Sequence, residues 1–563
     1  MKVVIVGGVA GGATAAARIR RLDEQAEIVV FERSGFISYA NCGLPYYIGD
    51  VIVDPEELTL QTPESFFARF RVEMRVCHEV TAIYPERKVV AVKNLTTGES
   101  FEEHYDKLIL SPGARPTRPR LSGVELDNVF TLRTVEDTFA IKDYINTHHP
   151  KSVVLAGGGF IALELAENLR ELGMEVTIVQ RPKQLMNPFD ADMAAFIHAE
   201  MRRHGVKLML GHTVEGFERR DGGVDVLLKD GAPLHGDMVV LAIGVTPDTT
   251  LAKEAGIELG LKGSIVVNDR METSVPDIYA AGDAVQVRHS VTGLDTLLSL
   301  AGPANKQGRI IADNICGGDS RYRGSQGSSV IKVFDMTAAT TGVNETNARK
   351  AGLDTESVIL SPMSHAGYYP GGKVMTMKVV FEKSTYRLLG AQIVGYDGVD
   401  KRIDVLATAI HAGLKATELK DLDLAYAPPY SSAKDPVNMA GFMIDNIARG
   451  TLRQWHLEDV PSLPRDGSVT LLDTRTVGEF RRGHIQGFTN IPVDELRERL
   501  GEIEKDKPVY VICQSGLRSY IACRILAGSG YDAYNFAGGF RFYDAVINDR
   551  ALIQQATACG MDG

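Results

Sequence analysis

Two stretches of the chain share one pattern of apolar and polar positions. Residues 2–32 run from an apolar segment, KVVIV, through glycines into a helical repeat, ATAAARIRRL, and on to a second apolar segment, EIVVF. The order strand, glycine turn, helix, strand returns at 151–180 in KSVVLAGGGFIALELAENLRELGMEVTIVQ. The character changes at NIARGTLRQWHLEDVPSLPRDG (446–467), which reads as a helix end followed by a proline-containing linker. Beyond it SVTLLDTR, GHIQGFTNIP, PVYVICQSGLRSYIACRIL and AYNFAGGF alternate strands with helices over about one hundred residues, enough for one small parallel-sheet domain.

With 563 residues the chain exceeds a single core, and about one domain per 100–200 residues predicts several units. Apolar residues make up 44% and charged residues 24%, an ordinary globular composition that leaves no case for disorder. The net charge of −11 argues against a nucleic-acid partner, which needs a basic face. The opening MKVVIVGGVAGG reads as a first strand rather than a signal peptide, and no apolar run of about 20 residues predicts a membrane span. Cys42, Cys77, Cys316, Cys513, Cys523 and Cys559 show no framework spacing, which predicts free thiols in a reducing cytoplasm. No metal site is predicted.

The glycines carry the first chemistry. Gly7, Gly8, Gly11 and Gly12 let backbone amides approach a pyrophosphate at a helix N-terminus, and Glu32 ends the following strand twenty residues after Gly12, where it can bind a ribose. Val9 departs from the motif by standing where its middle glycine belongs. The second copy has Gly157, Gly159 and Ala162 in the G-x-G-x-x-A form. Its second strand ends in Gln180, followed by Arg181 and Lys183, so no acid opposes a 2′-phosphate and the choice between NADH and NADPH stays open.

With YDKLILSPGARP (105–116) and TSVPDIYAAGDA (273–284) added, the sequence resembles the two-dinucleotide-domain flavoprotein disulfide reductases. The resemblance implies an α/β fold with two Rossmann-like domains, an α+β dimerisation domain and a homodimer. It implies FAD contacts at Gly7, Gly8, Ala10, Gly11, Gly12, Glu32, Arg33, Pro112, Gly113, Gly282 and Asp283, the last on the ribitol. It implies NAD(P)H contacts at Gly157, Gly159, Phe160, Ile161, Gln180 and Gly244. AIGVTPDT (242–249) resembles the return crossing, so the expected boundaries are 1–112 and 246–322 for FAD, 113–245 for NAD(P)H and 323–445 for dimerisation. The linker is then expected at 446–465 and the last domain at 466–563.

Most members of that family carry a C-x-x-x-x-C dithiol, but FISYANCGLPYYIG (36–49) has Cys42 alone. Cys42 is expected to open a short helix whose amides lower its pKa from about 8.5 and hold a thiolate. A lone thiolate can cycle as a mixed disulfide or persulfide, or as a sulfenic acid. The sulfenic route belongs to NADH peroxidases and oxidases, whose glycine loop carries a histidine where this chain has Ala10. The mixed-disulfide route belongs to the coenzyme A disulfide reductases, which ISYANCGLPYYIG, YYPGG and YAPPYSSAKDPVN resemble over about residues 1–445. That branch implies coenzyme A contacts at Thr14, Arg18, Arg21, Ser38, Asn41 and Lys434, with Arg18 and Arg21 on its phosphates. It also implies that Tyr368 and Tyr426 reach the partner subunit's site as proton donors, while Tyr369 packs the interface.

The C-terminal pattern resembles a rhodanese, with Cys513 opening the loop Gln514, Ser515, Gly516, Leu517 and Arg518. Successive loop amides suit a thiolate and its persulfide, and Arg518 is expected to add a fixed positive charge. Cys523 is expected to pack in the following helix, and Asp473 to pair with Arg475. Together the two sulfur sites imply an FAD-dependent NAD(P)H reductase of coenzyme A persulfide, polysulfide or coenzyme A disulfide. A pantetheine arm would carry sulfur between Cys513 and Cys42 over its reach of about 20 Å. Two alternatives stay open: an NADH oxidase or peroxidase using a Cys42 sulfenic acid, and a redox-sensing or sulfur-carrier protein.

Overall fold

The run KVVIV becomes the central strand of a five-stranded parallel sheet, with Val3, Val4 and Ile5 removed from solvent. Lys2–Val6 pairs with Glu27–Phe31 on one edge and with Lys107–Leu110 on the other, and Glu73–Arg75 and Ile278–Ala280 complete the sheet. The chain therefore leaves this sheet after Leu110 and re-enters it at Ile278. An antiparallel ladder, Ala114–Pro116 with Val245–Pro247, joins the exit to the return.

Between them stands a second five-stranded parallel sheet, ordered Val129–Thr131, Met238–Leu241, Ser152–Ala156, Glu175–Gln180, Lys207–Leu210. Helix Ala10–Leu22 lies against helix Ala301–Ile315 at very short range, since a Cβ at Gly308 would stand 2.4 Å from the Gly11 carbonyl oxygen. Small residues at that crossing are a packing requirement.

The structure, a computed structural model, describes residues 1–558, so Cys559 lies outside the described residues. It divides into one unit of Met1–Lys183 with Gly205–Gly327 and another of Gln184–His204 with Ser328–Ala558. The span 113–245, read from sequence as one domain, is thus split. Gln184–His204 joins the second unit, held by buried polar contacts that no periodicity reveals. There Lys378 Nζ lies 2.8 Å from Asp192, 2.9 Å from Glu345 and 3.2 Å from Asp190, and His198 Nδ1 lies 2.8 Å from Asp549.

The second unit holds two sheets. One is antiparallel, ordered Ser329–Val333, Met336–Gly342, Leu388–Gly395, Thr376–Glu382, Thr355–Leu360. The other is parallel, ordered Gln454–Trp455, Ala533–Phe536, Val509–Ile512, Thr470–Asp473, Thr489–Asn490. Part of the expected linker is therefore an edge strand. Trp455, the single tryptophan of the chain, is buried with its ring 4.4 Å from that of Phe536, and His456 Nε2 lies 2.9 Å from Glu356. No helix among the described residues is long and apolar enough to cross a membrane.

Candidate active site

The first glycine turn forms a cradle that side chains would fill. Gly7 adopts φ +97°, where a Cβ would stand 2.1 Å from the Ser111 carbonyl oxygen, and a Cβ at Gly12 would stand 1.9 Å from that of Gly7. Helix Ala10–Leu22 begins at Val9 with no side-chain cap and no acid in its first turn, so its amides face outward for an anion. Buried Glu32 accepts N–H groups from Gly8 and Ser34, both at 2.9 Å, which fixes the carboxylate and leaves lone pairs for a ribose. These features fit an FAD pyrophosphate and ribose. Gly12→Ala is expected to destabilise the unit by about 1–3 kcal/mol through overpacking. It should also yield protein with little bound flavin, read as flavin absorbance per chain; wild-type flavin content would contradict the cradle.

Around the rest of the expected flavin contacts the charged side chains, those of Arg33 and Asp283, are already paired. Arg33 Nη2 lies 2.8 Å from Asp248, Gly113 takes φ +70°, and Gly282 donates its N–H to Gln307 at 2.7 Å. Asp283 is held by Arg133, whose Nη2 is 2.6 Å away. Arg133 went unread because its sequence context, TLRTVEDT, carries no glycine signature.

The second cradle repeats the design. Gly157 at φ +124° would bring a Cβ within 2.1 Å of the Ala242 carbonyl oxygen, whereas Gly159 faces open space. Helix Phe160–Glu171 again starts without a side-chain cap or a first-turn acid, Ile161 following Phe160 in its first turn. Gln180 closes its strand and accepts the Gly211 N–H at 2.8 Å, and Gly244 takes φ +115° with nothing beside it. The set fits a second dinucleotide.

Cys42 departs from its expected chemistry. It sits in the turn Asn41–Gly43, followed by a helix of only Leu44–Ile48, and its side chain is exposed. Its thiol is nevertheless pushed above the ordinary range, first by loss of hydration and then by the charge of Glu164. Arg133 pulls it down and Asp283 pushes it up again. The short helix is outweighed by surroundings that are distant in sequence. Tyr46 responds to the same neighbourhood: burial, Glu164 and Glu167 push its phenol up to about 12.

The residues expected on coenzyme A are only partly free. Arg18 Nε is held 2.8 Å from Asp313, which removes it as an unpaired phosphate ligand, and Thr14 Oγ1 donates to Asn305 at 3.0 Å. Arg21 is exposed in the last turn of the same helix. Ser38 takes φ +45° with its N–H on the Gly8 carbonyl at 2.9 Å, which ties the Ser38–Cys42 segment to the first cradle; Asn41 opens the cysteine's turn. In the second unit Lys434 is exposed, and Tyr368 and Tyr426 come together with their hydroxyls 2.7 Å apart. Both phenols are exposed, and the Tyr426 hydroxyl is pushed up by this hydrogen bond. Tyr369 packs edge-on against His365 with ring centroids 5.6 Å apart.

The Cys513 loop is a built sulfur cradle. Cys513 is buried at the end of Val509–Ile512, and its Sγ accepts the Gly516 N–H at 3.1 Å and the Ser519 hydroxyl at 3.2 Å. Gly516 takes φ +99°, which aims that amide inward, and Leu517 is exposed. Gln514 accepts the Arg541 N–H at 3.1 Å through its carbonyl, and a Cβ at Gly539 would strike the Gln514–Ser515 backbone at 2.7 Å. The Arg518 guanidinium is held by Glu479 through two bonds of 2.7 and 2.8 Å. That contact holds the Glu479 carboxyl down at about 2. Glu479 also caps its own helix, accepting the Thr476 N–H at 2.9 Å. Asp473 and Arg475 form a fully buried pair at 2.7 Å, and Cys523 is buried in the apolar core of the domain.

Comparison with known proteins places these features in context. Residues 1–308 match the pyridine nucleotide-disulphide oxidoreductase family, 328–436 the dimerisation domain of the same family, and 457–545 the rhodanese-like domain. The coenzyme A disulfide reductase of Staphylococcus aureus is 39% identical over 442 residues, which is 78% of this chain and 99% of that protein. The crystal structure of reduced CoADR-RHD from Bacillus anthracis is 48% identical with a TM-score of 0.95, covering 98% of both chains. A NAD-dependent persulfide reductase from A. fulgidus is 38% identical with a TM-score of 0.90, covering 96% of this chain and 100% of that one.

Proposed function

The chain belongs to the pyridine nucleotide-disulphide oxidoreductase family, and from that membership we propose that it reduces sulfur–sulfur bonds at Cys42. It is an FAD-dependent NAD(P)H oxidoreductase whose acceptors are coenzyme A persulfide, polysulfide or coenzyme A disulfide, with the rhodanese domain carrying sulfane sulfur on Cys513. The observation that carries this reading is the single cysteine on the segment tied to the first cradle, in a chain that also holds a sulfur cradle built around Cys513.

FAD, when bound, supplies the path by which electrons from a reduced nicotinamide reach sulfur. Gly7, Gly8, Gly11, Gly12 and Glu32 would hold it, and Gly157, Gly159 and Gln180 would hold the nicotinamide dinucleotide. Cys42 contributes one sulfur of the reducible bond and the substrate contributes the other, so no second cysteine is needed. Thr14, Arg21, Ser38, Asn41 and Lys434 would orient coenzyme A, with Arg18 acting alongside Asp313 rather than as a free cation. Tyr368 and Tyr426, sharing a hydrogen bond, would give a proton to the departing sulfur of the partner subunit's site. The Cys513 cradle would stabilise a persulfide through the Gly516 amide and the Ser519 hydroxyl, and hand its outer sulfur onward.

A substrate panel on the flavin-loaded protein tests the reading. It would contain coenzyme A disulfide, coenzyme A persulfide and polysulfide, each with NADH and with NADPH, and would follow nicotinamide oxidation and sulfide. Oxidation that requires a sulfur acceptor is expected, with sulfide released from persulfide and polysulfide. Oxygen or peroxide consumption at full rate without any sulfur compound would replace this reading with the oxidase or peroxidase one.

A further inference from the structure

Tyr368 and Tyr426 are 76% and 46% exposed, so burial alone does not fix their rings, yet their hydroxyls meet at 2.7 Å. Exposed side chains keep much of their rotamer freedom, and their meeting depends on how the backbone beneath them is held. Tyr368 stands on the irregular segment between strands Thr355–Leu360 and Thr376–Glu382. Tyr426, 58 residues further along the chain, stands on the one that leads into helix Pro436–Ala448. A backbone bond from the Ala366 N–H to the Ser431 carbonyl at 3.0 Å joins the two segments.

Arg402, on helix Val399–Ala412 and only 1% exposed, holds both. Its Nη2 lies 2.9 Å from the Ser364 carbonyl oxygen, 3.2 Å from that of Tyr430, 3.1 Å from Ser431 Oγ and 3.0 Å from Asp435 Oδ2. Ser364 is four residues before Tyr368, and Tyr430 is four after Tyr426. Arg402 Nε lies 3.2 Å from the same Asp435 oxygen, and Nη1 donates to the Gly398 carbonyl at 3.1 Å. Gly398 leaves the space for this, since a Cβ there would stand 2.1 Å from Arg402 Nη1. Ser364, Ser431 and Asp435 are buried as well. Ser431 donates its hydroxyl to Asp435 at 2.7 Å, and Asp435 caps helix Pro436–Ala448 by accepting the Val437 N–H at 3.0 Å. Burying an ion pair costs desolvation that its attraction barely repays, so such a pair is a poor device for stability alone. A planar guanidinium fork, by contrast, can reach the carbonyls of two segments at once, which an ammonium on a flexible stem does not.

We propose, resting on the reading of Tyr368 and Tyr426 as proton donors, that Arg402 is their positioning residue. It sets the spacing of the two segments and so the geometry in which the phenols meet at the partner subunit's site. Being buried, it offers no surface to substrate and acts through the Ser364 and Tyr430 backbone.

A mutant cycle on the flavin-loaded protein, with coenzyme A disulfide as acceptor, separates this role from a structural one. Arg402→Lys keeps a charge opposite Asp435 but loses the fork. It should lower kcat about ten- to a hundredfold, the cost of misplacing a reacting group by about 1 Å. KM should change less than kcat, and bleaching of the flavin by nicotinamide should match wild type. The double variant Tyr368→Phe, Tyr426→Phe should also lose kcat. Adding Arg402→Lys to it should then cost less than about twofold, because the groups that Arg402 positions are gone. Should Arg402→Lys fail to fold, Ser431→Ala removes one hydroxyl, keeps the ion pair and decides through the same cycle, with a smaller loss that also vanishes without the phenols. A wild-type kcat in the position-402 or position-431 variant that folds, or an equal loss with and without the phenols, would overturn the proposal and leave the tyrosine reading intact. A Tyr368→Phe, Tyr426→Phe protein that turns over at the wild-type rate would instead sink that reading, and the proposal with it.

Discussion

Replacing Cys42 with serine is expected to abolish nicotinamide oxidation with every sulfur acceptor, a fall on the order of a thousandfold or more, because a hydroxyl can neither form nor surrender a sulfur–sulfur bond. The loss should occur in kcat rather than through unfolding. Cys42 is exposed and packs no core, so the substitution should cost at most about 0.5 kcal/mol of stability. Flavin content and nicotinamide-driven bleaching of the flavin should both persist, since neither cradle touches the sulfur. A Cys42→Ser protein that still turns over coenzyme A disulfide would show that the reducible bond forms elsewhere.

Cys513→Ser should separate the two sulfur sites. If sulfur passes from Cys513 to Cys42 as proposed, turnover of coenzyme A disulfide should stay within about twofold of wild type, while reduction of large persulfide donors should fall roughly tenfold or more. Serine keeps an acceptor for the Gly516 amide and the Ser519 hydroxyl, so the loop should survive. Fluorescence of Trp455, buried in the same domain, checks that it does. Equal losses with every donor, or none with any, would mean that Cys513 does not feed Cys42.

The sequence made the cradles legible because their requirements are local. Gly7 and Gly157 must adopt positive φ and leave no room for a Cβ, and Glu32 must follow directly on the strand that pairs with the first one. Cys513 was legible for a similar reason: strand, loop and helix all lie within a dozen residues. What stayed hidden depends on partners far along the chain. The short helix alone favours a lower Cys42 pKa, but loss of hydration and then the charge of Glu164, on another helix, push it up against the pull of Arg133. Nothing beside Arg18 or Arg518 in the sequence points to Asp313 and Glu479, the acids that hold them from far along the chain. The move of Gln184–His204 to the second unit rests on Lys378 and Asp549, whose roles have no periodic signature.

The central claim is that the missing second sulfur arrives with the substrate, and the mass of the oxidised protein tests it most directly. Flavin-loaded protein would be treated with coenzyme A disulfide in the absence of nicotinamide, and its intact and peptide masses measured before and after NADH or NADPH is added. One coenzyme A attached per chain through Cys42, and released as one nicotinamide is oxidised, is the predicted result. An oxygen adduct as the only oxidised form of Cys42, or coenzyme A attached at another cysteine, would contradict the claim.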